Sequence, residues 1–219
     1  VTHVSASGIE AFRRRAIRLR PEPPPFLAGG PSPRGDHSLD HDARPPGSAA
    51  PRPAAVLVPV VLRPDGPAIL LTERAAHLRT HSGQIAFPGG KMDPADPTPL
   101  AAALREAEEE IGLDAREVEP IGYLDPYLSS SNFFVVPVVG LVPAGVQLRL
   151  NPDEVASVFE VPLAFLMDEV NHELHCREWN GRIRQYYAMP FGARYIWGVT
   201  AGILRNMYER LYVPDAEAA

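Results

Sequence analysis

Four glutamates, Glu106, Glu108, Glu109 and Glu110, crowd the last turns of a helix that the residue pattern ends at Gly112. Aligned peptide dipoles leave partial negative charge at that end, so each acid there costs typically about 0.3–1 kcal/mol. Glu106 and Glu110 are also i,i+4 neighbours, a like-charge pair that repels across one turn. Bound cations would neutralise both penalties, which makes the helix end a candidate divalent-metal site. At roughly 100° per residue, Glu106, Glu109 and Glu110 share one arc while Glu108 points elsewhere, into solvent. Clustered carboxylates are hard oxygen donors and suit Mg²⁺ or Mn²⁺ better than zinc. A solvated acidic face is the plainer reading of a Glu-rich helix, and the residues upstream weigh against it.

Those upstream residues are Phe87-Pro88-Gly89-Gly90, whose paired glycines let backbone approach a ligand or a neighbouring element closely. Thr98 can cap the helix, Pro99 fits its first turn, and Gly112 can close it in a left-handed conformation. Leu100, Ala103, Leu104, Ala107 and Ile111 recur at helical spacing as its buried stripe. Loop and helix together resemble the Nudix box, Gly-x5-Glu-x7-Arg-Glu-U-x-Glu-Glu-x-Gly-U, where U is a bulky aliphatic residue. The second half is matched by Arg105-Glu106-Ala107-Glu108-Glu109-Glu110-Ile111-Gly112-Leu113, with a small Ala107 at the first U. The first half departs twice: Asp96 replaces the upstream Glu, and Gly90 is separated from Arg105 by residues 91–104, one more than the pattern allows. In the family that upstream acid braces the arginine, so an Asp96–Arg105 ion pair is expected.

A second pattern overlaps the first. Leu70-Leu71-Thr72-Glu73-Arg74-Ala75, then Arg79, Gly83 and Phe87-Pro88-Gly89-Gly90, is similar to the signature of the coenzyme A pyrophosphatase branch of the Nudix hydrolases. The likeness continues through Asn151-Pro152-Asp153-Glu154-Val155 and Ile196-Trp197-Gly198, and so spans roughly residues 54–211. It implies an α/β Nudix fold, a mixed sheet sandwiched between helices. It also implies hydrolysis of coenzyme A and its derivatives to 3′,5′-adenosine bisphosphate and 4′-phosphopantetheine.

Expected roles follow. Glu106, Glu109 and Glu110 hold the metal, with backbone carbonyls of Gly89 or Gly90 as further ligands by family analogy. A carboxylate removes a proton from the attacking water; Glu109 is the first candidate for this base and Glu154 the second. Arg105 serves the same machinery. Arg74 and Arg79 face phosphate oxygens, which guanidinium groups bind in two-pronged fashion at any relevant pH. His77 and His81 are weaker candidates. Tyr127, Phe133, Phe134 and Trp197 stack on adenine, line the pantetheine path or belong to the core, and Arg13–Arg15 and Arg184 are candidates for a 3′-phosphate. The same metal chemistry would serve a pyrophosphatase of NADH, ADP-ribose or dinucleoside polyphosphates. A non-catalytic nucleotide-binding module would have no need of the costly acidic helix end.

The rest of the chain is organised around this centre. Its 219 residues suffice for one sizeable core. A net charge of −6 argues against bulk nucleic-acid binding, whose footprint is basic. The single cysteine, Cys176, excludes an intramolecular disulfide and fits a reducing, cytoplasmic setting. The longest apolar run, residues 133–142, is interrupted by Pro137 and far too short to span a membrane, and no signal peptide is visible. Homo-oligomerisation is left open. Residues 1–53 read as an N-terminal helix (residues 8–19, basic at Arg13, Arg14, Arg15 and Arg18) followed by a Pro-rich linker or strap. Residues 54–213 read as the catalytic domain and 214–219 as a tail. Within the domain, strands are expected over residues 54–62, 68–72, 118–125 and 132–142. A short helix is expected from Pro162, a hairpin around Asn180-Gly181, and a closing helix over residues 196–211. A zinc site at His172, His175 and Cys176 is disfavoured, because alternation on a strand splits these residues across faces.

Overall fold

The structure, a computed structural model, describes residues 4–26, 33–39, 50–78, 82–179 and 181–214. Its centre is a parallel pair of long strands, β2 (Arg52–Arg63) and β8 (Phe133–Pro143), aligned from Arg52↔Phe133 to Leu62↔Pro143. Both are almost continuously apolar, as strands covered on two faces must be. Strict alternation divides their side chains. Val58, Val60, Val135 and Val139 enter one apolar cluster, while Leu57, Val61, Val136 and Val138 enter another. Helix α2 (Pro99–Ile111) covers the second cluster. Helices α1 (Val4–Ala16), α3 (Leu163–Leu166) and α4 (Val199–Leu211) supply the first. The mixed sheet therefore lies between helical layers, as expected for an α/β/α arrangement.

Strand β3 (Gly66–Arg74) runs antiparallel to β2 only over Gly66–Ile69. Beyond that point the two strands part. At its far end β3 pairs instead with β4 (Ile85–Ala86), while the start of β2 pairs with β5 (Gly89–Lys91). The chain thus crosses from one diverging strand to the other through Phe87-Pro88, and the paired glycines land in the fork. The outer edge of β3 is taken by β9 (Val155–Pro162). β6 (Glu119–Tyr123) and β7 (Tyr127–Leu128) line β8, and β1 (Arg34–Gly35) adds in parallel to β7. A separate antiparallel sheet contains β10 (Glu173–Trp179), β11 (Arg182–Phe191) and β12 (Arg194–Trp197).

Two expectations need correction. The closing helix starts at Val199, because Arg194–Trp197 is a strand and Gly198 turns the chain at φ 61°. β9 was not foreseen, since its side chains show no clean alternation of apolar and polar residues. Separately, the described parts of the Pro-rich stretch lie against the domain with little aliphatic burial. Arg20 bridges Tyr123, Phe26 meets the Phe134 ring edge-on at 5.1 Å, and Arg34 pairs with Glu209 at 2.7 Å.

The helix α2 ends as its residues require. The Thr98 hydroxyl accepts the Ala101 N–H at 3.1 Å, and Gly112 stands at φ 66°. There its N–H donates to Glu108 O and that of Leu113 to Ala107 O, closing the last turn. An added Cβ at Gly112 would also meet Arg149 O at 2.9 Å. We expect Gly112→Ala to lower unfolding free energy by roughly 1–2 kcal/mol from the left-handed backbone alone, measured by denaturant titration.

Candidate active site

The acidic end of α2 lies directly against the paired glycines. An ideal Cβ on Gly90 would fall 2.6 Å from the Glu106 carboxyl carbon, so only glycine leaves room for that group. Gly89 stands at φ 151° with its missing Cβ 2.5 Å from Ala55 O, and its N–H donates to Glu110 Oε2 at 3.2 Å. Both glycines are thus explained by close approach, one to strand β2 and one to a carboxylate.

Burial grades the acids instead of treating them alike. Glu110 is 3 % exposed and Glu106 is half-buried, whereas Glu109 and Glu108 are exposed. The buried face of α2 includes Ala102 and Glu110, which the apolar stripe did not anticipate, while Leu100 and Leu104 sit at its margin. Above all, burial pushes the Glu110 carboxyl up to about 7 from an ordinary 4.5; the Gly89 N–H and Arg74 pull it down, and Glu106 and Glu154 add repulsion. Desolvation likewise raises Glu106, against the pull of Arg105 and with further repulsion from Glu109 and Glu154.

Arg105 is the organiser of this end. Its Nε and Nη2 hold Asp96 at 3.1 and 2.9 Å, a two-pronged pair that draws the Asp96 carboxyl below its usual range. The expected brace is present despite the shorter side chain and the longer loop. The same guanidinium reaches Glu106 Oε1 at 3.0 Å and Glu109 Oε2 at 2.9 Å. It thus holds three carboxylates, and Glu109 is the exposed one of them. As placed, no three acidic, histidine or cysteine side chains among the described residues converge closely enough to hold an ion.

Glu154 reaches the site by a route that spacing does not reveal. Carbonyls left over at the end of α2 are met by the following segment: Arg149 N–H donates to Ile111 O at 2.8 Å and Asn151 N–H to Glu110 O at 2.9 Å. Two backbone bonds then anchor the loop, Glu154 N–H to Asn151 O and Ala75 N–H to Glu154 O. Asn151 Nδ2 also donates to Glu154 Oε1 at 3.2 Å. Glu154 is therefore fixed between the end of α2 and the residue after Arg74. Arg74 itself extends its Nη1 to within 3.8 Å of Glu110 Oε1, and its buried Nε has no hydrogen-bond partner among the described residues.

The other candidates separate. Arg79 and His81 lie outside the described residues, and His77 is exposed. Tyr127 and Phe134 are core residues, and Phe133 lies under Arg52, its ring centroid 4.0 Å from the guanidinium carbon. Arg13 pairs with Glu119 and Arg15 covers Tyr212. Their helix packs by the Gly66-Pro67 end of β3, the opposite end from Arg74 and roughly 26 Å along the strand, so they do not reach the site. His175 and Cys176 fall on opposite faces of β10, as alternation required.

A model of the NUDIX domain matches residues 51–180. The chain belongs to the Nudix family. Curated relatives include the protein called Uncharacterized Nudix hydrolase NudL in Yersinia pestis and Yersinia pseudotuberculosis, each 44% identical over 169 residues, spanning 76% of this chain and 83% of theirs. Solved structures similar to this chain include the Nudix domain of Shewanella oneidensis NrtR with ADP ribose, at TM-score 0.47 and 17% identity over 75% of this chain and 90% of that one. A MutT Nudix hydrolase from Burkholderia pseudomallei gives TM-score 0.40 and 27% identity over 53% and 86%. The chain is accordingly a Nudix hydrolase, an enzyme of pyrophosphate bonds, and enzymes of this family generally use divalent cations. No helix among the described residues is long and apolar enough to cross a membrane.

The donor set fits such a cation, since a buried and a half-buried carboxylate that repel each other are hard oxygen ligands whose burial Arg105 and Arg74 only partly offset. Without metal, Glu110 holds a proton in the folded protein that the unfolded chain has lost between about pH 4.5 and 7. The folded state then binds more protons than the unfolded one, so stability falls as pH rises through that window. In EDTA, Glu110→Gln should gain melting temperature over wild type at about pH 8 and lose the advantage near pH 5. An equal difference at both pH values would show that Glu110 bears no such burden.

Proposed function

We propose that this Nudix hydrolase cleaves the pyrophosphate bond of coenzyme A and its derivatives, giving 3′,5′-adenosine bisphosphate and 4′-phosphopantetheine or its acyl form. The reading is carried by the unbroken pattern from Leu70 to Gly90 and by where its ends fall. Arg74 and Gly89 both contact Glu110, so the residues that distinguish the branch border the acids that define the family.

Glu106 and Glu110 would hold Mg²⁺ or Mn²⁺, with the backbone at Gly89-Gly90 and a reoriented Glu109 as further donors. Bound there, the cation supplies neutralisation of the diphosphate and acidifies a water molecule. Arg74 offers its Nε–H, which has no hydrogen-bond partner among the described residues, to a phosphate oxygen in a charge-assisted bond. Glu154 is the better-placed base, because Glu109 is exposed and engaged by Arg105 whereas Glu154 is anchored beside Glu110 and Arg74. Its carboxylate takes the proton as the water oxygen bonds to phosphorus. The bridging P–O bond breaks, and the electron pair leaves with the departing phosphate. Arg105 keeps Glu106 and Asp96 in register throughout and touches no reacting atom.

Two measurements test this. In a panel with products identified by mass, coenzyme A should be split in preference to dephospho-coenzyme A, NADH and ADP-ribose. Equal or better turnover of the latter three would remove the substrate assignment and leave the metal chemistry standing. Glu154→Gln should lower kcat by roughly 10²–10⁴, the usual worth of a general base, with metal affinity little changed. Glu109→Gln should weaken activation by Mn²⁺ more than it lowers kcat at saturating metal; the reverse pattern would return the base to Glu109.

A further inference from the structure

Asn151, in the loop after α2, puts every one of its polar atoms to use. Its N–H donates to Glu110 O at 2.9 Å, and its carbonyl accepts the N–H groups of Glu154 and Val155 at 3.0 and 2.9 Å. The side chain works in both directions. Oδ1 accepts Asp153 N–H at 3.1 Å, while Nδ2 donates to Glu154 Oε1 at 3.2 Å. One contact needs an acceptor and the other a donor, so the pair calls for an amide and fixes its orientation. An aspartate would meet the first demand alone and would repel the Glu154 carboxylate.

The backbone around Glu154 is held from the other side as well. Ser157 of β9 pairs with Glu73 and Val155 with Arg74, which leaves Ala156 as an extra residue in the ladder. A bulge of this kind shifts the pairing by one place and re-aims the residues beyond it, a device common beside active sites. Past the bulge, Ala75 N–H donates to Glu154 O at 2.9 Å, and Val155 is buried in the second apolar cluster with Ile111. Backbone bonds therefore place the Glu154 main chain, and they leave its carboxylate free to rotate. The Asn151 amide is what holds that group. The second carboxylate oxygen, Oε2, takes no hydrogen bond among the described residues.

We infer that Asn151 is a positioning residue of the hydrolytic reaction: its amide occupies one oxygen of the Glu154 carboxylate and leaves the other for the attacking water. The inference rests on the proposed role of Glu154 as base, and holds whichever diphosphate is the substrate. Asn151 itself touches no reacting atom. It also ties the base to the metal-binding end of α2, because the same residue bonds the Glu110 carbonyl and the Glu154 carboxylate.

A double-mutant cycle tests this, read at saturating Mn²⁺ on whichever diphosphate the enzyme turns over. Asn151→Asp keeps the acceptor for Asp153 N–H and all the backbone bonds, and alters the contact with Glu154. It should lower kcat roughly tenfold to hundredfold, the worth of one hydrogen bond to a charged group, with KM nearly kept. In a Glu154→Gln background the same change should move kcat by less than about twofold, since the carboxylate it serves is gone. Asn151→Ser, neutral and too short to reach Glu154, should repeat both results; it separates lost donation from added charge and replaces the aspartate variant should that one not fold. Equal losses of kcat in the two backgrounds would mark Asn151 as structural and overturn the inference, with Glu154 still the base. A raised KM at unchanged kcat would overturn it too. Wild-type kcat in Glu154→Gln alone would remove the base assignment and this inference together, leaving the metal site and the substrate to their own tests.

Discussion

The centre of this protein depends on pressing a negative helix end against backbone. Glu106 and Glu110 are carried by a helix whose dipole and spacing both disfavour them, and the fold then buries one and half-buries the other. What makes this tolerable within the chain is a short list of donors: the Gly89 N–H, the Arg105 guanidinium and, at longer range, Arg74. None fully discharges the cluster, since desolvation still dominates both carboxyls. A site poised in this way gains more from a divalent cation than an exposed acidic face would, because a buried charge is screened less by water.

The rest of the architecture delivers that pressure. β2 and β3 pair only at one end and diverge at the other, which opens the fork into which Gly89 and Gly90 are drawn. Had the two strands stayed paired along their length, neither glycine could reach α2. The segment after the helix completes the arrangement by using the helix's own unpaired carbonyls as its anchor, and so brings Glu154 beside Arg74. One set of backbone bonds thus satisfies the helix terminus and positions a side chain for chemistry.

Arg105 shows how a departure in sequence is absorbed. Aspartate at position 96 is one methylene shorter than the glutamate of the family pattern, and the loop before the helix is one residue longer. The loop folds so that Asp93 N–H donates to Asp96 Oδ2 at 2.7 Å, which brings the shorter carboxylate within reach of Arg105. The extra residue and the smaller acid compensate each other. The guanidinium is left in place to hold Glu106.

The sequence alone determined the helix, its caps and its acids, because these are local matters of spacing, hydrogen-bonding side chains and left-handed glycine. The long central strands were legible for the same reason, since burial on both faces demands an unbroken apolar run. Tertiary structure alone decided which acids are buried, because helical arcs give direction and not depth: Glu109 and Glu110 are neighbours in the arc, and one faces Arg105 while the other faces Gly89. It also decided the place of Glu154, set by backbone bonds between segments distant in the chain, and the fate of the aromatic residues. Tyr127 and Phe134 went to the core and Trp197 to a half-buried place on the small sheet, a choice made by strand pairing that no local pattern encodes.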